Sequence, residues 1–137
     1  MKTVTIDASA AASWLFPAQA TRSADAFLTD KEPRRYIAPD IFLWEVGNLI
    51  VQRSRGDQAV LDILLGRFVR LGIESQVPLS PEVVMDMMDQ ARSGGLRLFD
   101  AAYLAIAREH DAALASRDRR LLDAAVAAGV DVFDLRD

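Results

Sequence analysis

Apolar positions along the chain follow two alternating rhythms: short β-branched or alanine-rich runs, and longer stretches that repeat every three to four residues. Residues 3–6, Thr-Val-Thr-Ile, read as a buried strand ending at Asp7. Residues 8–16 then read as a helix that Pro17 stops, and 21–28 as a second short helix. A charged loop runs through Arg35. Residues 36–38 suggest the next strand, and Pro39-Asp40 opens a long helix to about Arg55. Gly56-Asp57 breaks it before a helix over 58–71, and Gly72-Ile73-Glu74 is a weak, edge-like third strand.

The following helix is punctuated at both ends. Ser80 is placed to cap it, Pro81 suits its first position, and Gly94-Gly95 ends it. Val84, Met87, Met88 and Ala91 share the spacing of one buried face. A helix over 99–110, an apolar strand over 112–115, a helix over 119–128 closed by Gly129, and a strand over 130–132 complete the chain. Strands alternating with helices imply a parallel sheet covered on both faces. In such sheets the active crevice lies beyond the carboxyl ends of the strands. Asp7 ends the first strand and residues 116–118 follow the strand 112–115, which brings both to one edge.

Composition narrows the chemistry. The 137 residues are 51% hydrophobic and 26% charged, with no repeat or linker, so a single domain over 1–137 is expected. No apolar run approaches the length that spans a bilayer, and the first residues lack a signal-peptide pattern. With no cysteine there is neither a disulfide framework nor a thiolate metal site, and the cytoplasm is the expected compartment. The net charge of -4 argues against a protein that coats nucleic acid through a basic surface. Lys occurs only at 2 and 31; the remaining basic residues are Arg, whose planar fork pairs with phosphate, although base composition explains that skew as readily.

Four acids interrupt apolar surroundings: Asp7, Glu45, Asp100 and Asp118. Burying an ionised carboxylate costs several kcal/mol unless it is compensated, and gathering several raises their pKa values. A divalent cation removes both penalties. Oxygen-only ligands favour Mg²⁺ or Mn²⁺ over zinc, and such a site suits phosphodiester hydrolysis by a metal-activated water. Each acid also has a plain structural role open to it: Asp7 and Asp118 as helix caps, Asp100 at a helix start, Glu45 in an ion pair with an Arg. One metal site explains all four at once.

The order Asp7-Ala8-Ser9, Glu45-x-x-Asn48, Asp100-Ala-Ala-Tyr-Leu-Ala and Ser116-Arg-Asp118-Arg-Arg-Leu resembles the PIN domain, and more narrowly the VapC toxins of bacterial toxin–antitoxin pairs. That resemblance covers essentially the whole chain. It implies an α/β/α sandwich and a Mg²⁺- or Mn²⁺-dependent endoribonuclease. Asp7, Asp100 and Asp118 would hold metal, and Glu45 would complete the acidic set. Ser9, Asn48 and Ser116 match the family's small polar positions; Arg117 lies beside Asp118 and is a candidate for substrate phosphate. Gly47 departs from the pattern, where the family usually has Ala.

The apolar run over 60–65 suggests a partner or dimer face. From the resemblance, a homodimer and a cognate antitoxin are expected, with RNA as substrate. A housekeeping RNA-processing nuclease and a non-catalytic RNA-binding PIN domain are the competing readings. A phosphoacceptor domain fits poorly, for it needs paired acids after the first strand and a late Lys. His110, the single His, is best read as a helix C-terminal residue.

Overall fold

A computed structural model describes residues 1–78 and 80–137. Strand β1 (Lys2–Ile6) leads directly into α1 (Ala8–Leu15); after a 3₁₀ turn comes α2 (Arg22–Thr29), capped by the Thr21 hydroxyl. Strand β2 (Arg34–Pro39) is followed by α3 (Ile41–Arg53) and α4 (Gln58–Arg70), then β3 (Glu74–Gln76). Helices α5 (Pro81–Gly94) and α6 (Leu98–Glu109) precede β4 (Ala113–Ser116), α7 (Arg119–Ala127) and β5 (Val132–Asp134).

All strand pairs are parallel, in the order β3-β2-β1-β4-β5. The chain therefore winds outward from β1 to β3, then crosses back to place β4 on the other side of β1. Right-handed crossovers in opposite directions put their helices on opposite faces. Accordingly α6 lies across β1, β2 and β4 with α5 and α7 beside it, while α1 packs with α2, α3 and α4. The result is the expected α/β/α sandwich around a parallel sheet.

Burial on both faces explains why the central strands read as continuous apolar runs. Val4, Ile6, Ile37, Ala38, Leu114 and Ala115 are fully buried. Neighbours along β2 serve different layers: Ala38 joins the main core, whereas Ile37 packs with Ile106 and Ala112.

The structure corrects several local expectations. The third strand is 74–76 rather than 72–74, and the last is 132–134 rather than 130–132. Both shifts have one cause. Gly72 and Gly129 take left-handed conformations (φ 64° and 77°) that close the preceding helices, so the chain becomes extended only two or three residues later. The Ser80 side chain makes no capping hydrogen bond. Met87 is buried as expected, but Met88 is exposed, because α5 packs chiefly against α6 and buries a narrow stripe.

Candidate active site

The edge at which β1 and β4 end is the switch point of the sheet, where the winding reverses. There Asp7 leaves β1 and Ser116 ends β4, in adjacent register through Ile6 and Ala115. Asp7 is only 4% exposed, and its carboxylate is built into the fold. Oδ1 accepts the Ala10 backbone N–H at 2.8 Å, which caps α1. The Ser9 hydroxyl lies 2.8 and 3.0 Å from the two carboxylate oxygens, and Ser116 Oγ donates to Oδ2 at 2.5 Å.

The two serines also tie the following loop. Ser9 Oγ accepts the Arg117 N–H at 2.9 Å, and Ser116 Oγ accepts the Asp118 N–H at 2.8 Å. Asp118, half-buried, caps α7 by accepting the Arg120 N–H at 3.0 Å. Two helix N-termini, those of α1 and α7, thus lie at one edge of the sheet, a setting that favours negative charge. Even so, burial pushes Asp7 up to about 6 from the ordinary 3.8; its three hydrogen bonds oppose the rise and the Asp118 charge adds to it. An acid held this way keeps its proton to a higher pH than an ordinary carboxyl, and positive charge brought beside it would favour the ionised form.

Glu45 projects from α3, and the side chain that bonds it is a tyrosine rather than the Arg of the plain structural alternative. Tyr103, on α6, donates its hydroxyl to Glu45 Oε1 at 2.8 Å. Tyr103 is 2% exposed, and burial, then the Glu45 charge, then those of Asp7 and Asp100, all hold its phenol in the protonated form. That pattern places the phenol amid three of the four acids. Asp100 stands one turn before Tyr103 in the first turn of α6 and pairs with Arg97, whose guanidinium is also attracted by Glu45 and Asp118.

Asn48 is exposed one turn beyond Glu45, and the Arg117 guanidinium reaches Gln19 Oε1 at 3.4 Å. Among the described residues, no three acidic or His side chains stand close enough to enclose a metal ion as they are. Sequence reasoning missed Arg97 and the hydroxyl of Tyr103. Their signal was available in part, since both lie three residues from Asp100 and share its side of the helix.

The PIN domain family model matches residues 4–127. The chain belongs to the PIN domain family. Its fold is similar to that of PAE2754 from Pyrobaculum aerophilum, with a TM-score of 0.66 and 18% identity over 96% of this chain and 84% of that one. It is also similar to Mycobacterium tuberculosis VapC20, described as a sarcin–ricin loop cleaving toxin, with a TM-score of 0.65 and 13% identity over 93% and 95% of the two chains. FitAcB from Neisseria gonorrhoeae gives a TM-score of 0.59 and 21% identity over 96% of each chain. At these identities the likeness to solved structures is one of fold. A comparison with curated proteins gives no match. No helix among the described residues is long and apolar enough to cross a membrane.

Proposed function

We propose that this PIN domain is a metal-dependent endoribonuclease and the toxin of a toxin–antitoxin pair. The observation that carries the reading is Asp7: a buried carboxylate at the switch point, held by serines from two elements, with the Asp118 charge beside it. A fold that needed only a helix cap would not bury a second acid's field against it.

The donor set suits a hard cation, Mg²⁺ or Mn²⁺, because it is all oxygen. Asp7, Asp100 and Asp118 would hold the ion, with Glu45 completing the set; gathering them requires side-chain rotation, since they do not enclose a cation as they stand. Such an ion supplies charge at the scissile phosphate and a nucleophilic water at neutral pH. The chain's own residues do the aiming. Ser9 and Ser116 fix the Asp7 carboxylate in one orientation, Tyr103 does the same for Glu45, and Asn48 stands beside Glu45 to orient water or phosphate. Arg117, Arg119 and Arg120 flank Asp118, where the RNA backbone would pass.

The toxin assignment draws on VapC20, a cleaving toxin of the same fold, and on the outer surface of α3 and α4. Trp44, Val51, Ile63 and Val69 are 75%, 61%, 54% and 74% exposed there, an apolar surface suited to an antitoxin segment or a second copy in a homodimer. The test is digestion of total RNA with Mn²⁺, Mg²⁺ or EDTA, beside the Asp7→Asn and Asp100→Asn variants. Metal-dependent fragments absent from both variants support the reading. Intact RNA under all conditions leaves a PIN domain that binds without cutting.

A further inference from the structure

Arg97 occupies the N-cap position of α6, yet its side chain does not cap the helix. It turns instead onto Asp100 in a two-pronged contact, Nε to Oδ2 at 3.1 Å and Nη2 to Oδ1 at 3.2 Å. The Asp100 side chain is 15% exposed whereas that of Arg97 is 73% exposed, so the guanidinium covers the acid from the solvent side. Its backbone is anchored independently: Leu96 is buried and donates its N–H to the Ala91 carbonyl, and the Arg97 carbonyl accepts the Ala101 N–H. The side chain is therefore free to swing away without any change in the helix.

We propose that Arg97 is the resident counter-ion of the acidic site, engaging both oxygens of Asp100 until a divalent cation displaces it. The inference rests on the reading of Asp7, Asp100 and Asp118 as ligands. Arg97 and the ion claim the same carboxylate and repel one another, so they compete. The pair neutralises charge among the acids and lowers the affinity for metal; Asp100 can turn toward Asp7 and Asp118 only when it is released.

Calorimetric titration with Mn²⁺ at pH 7.5, without RNA, tests this on the wild type, Arg97→Gln and Arg97→Lys. Arg97→Gln is expected to bind Mn²⁺ roughly two- to fivefold more tightly, the range for removing a partly exposed ion pair. Arg97→Lys, which keeps the charge but loses the fork, tightens by less. In a ¹⁵N spectrum of the wild type the Arg97 Nε–H resonance, assigned by its loss in Arg97→Lys, moves as Mg²⁺ is added. Wild type and Arg97→Gln binding Mn²⁺ equally would overturn the competition and leave the nuclease reading standing. Tightening in Arg97→Gln with Arg97→Lys unchanged reduces the effect to charge at a distance and overturns it as well. No Mn²⁺ binding by any of the three at millimolar concentration overturns both readings.

Discussion

Replacing Asp7 by Asn should stabilise the metal-free protein near neutral pH. In the fold the acid is 4% exposed and titrates at about 6; in the unfolded chain it returns to about 3.8. A group whose folded pKa is raised contributes stability that is fully present below the unfolded value and is lost as pH rises through the folded one. The window is therefore pH 4 to 6. A gap of about two units corresponds to roughly 3 kcal/mol lost by pH 7.5. The Asn amide keeps an oxygen for the Ala10 N–H but must turn an NH₂ toward Ser116 Oγ, at a cost of about 1 kcal/mol that does not vary with pH. Urea unfolding in EDTA at pH 4.5, 6 and 7.5 measures the difference between the two proteins. Asp7→Asn should gain on the wild type with rising pH and be more stable by about 1–2 kcal/mol at pH 7.5. Adding Mn²⁺ should then stabilise the wild type alone. A difference that is flat across the three pH values would refute the claim that Asp7 is an acid buried at the expense of stability.

Other substitutions probe the supports of the site. Ser116→Ala removes a donor from Asp7 and the acceptor of the Asp118 N–H; about 1–3 kcal/mol of stability is expected to go, measured by urea unfolding. The same variant should show the Asp7 carboxyl titrating higher than in the wild type, read by NMR. Tyr103→Phe leaves Glu45 without its buried donor, and should cost about 1–2 kcal/mol and slow RNA cleavage at saturating metal. Gly47→Ala should be neutral for cleavage and raise stability by about 0.5–1 kcal/mol. It lies inside α3, and a Cβ there meets nothing within 4 Å.

Much of this architecture was legible in the residues. β-Branched runs such as Val4–Ile6 mark strands buried on both faces, and Pro17, Gly56 and Gly95 stop helices for steric reasons that need no tertiary context. Asp7 and Asp118 stood out because a lone acid beside an apolar strand is costly; that they also cap α1 and α7 shows the structural and chemical roles to be compatible. What stayed hidden depends on contacts distant in sequence. The bond from Tyr103 to Glu45 joins residues 58 apart in sequence, and a hydroxyl in an apolar helix does not announce its acceptor. The bounds of the short strand β3 slipped because Gly72 closes the preceding helix in a left-handed conformation, which the residues 72–74 do not reveal on their own. Met88 looked buried by spacing and is exposed because α5 packs chiefly against a single helix, α6.

The most direct test is to sequence the ends that the purified protein generates in total RNA at fixed Mn²⁺, beside Asp7→Asn and Asp118→Asn shown to be folded. A metal-activated acidic site predicts a small set of recurring ends, abolished by EDTA and by each substitution. Ends that persist unchanged in both variants, or cleavage indifferent to EDTA, would contradict it.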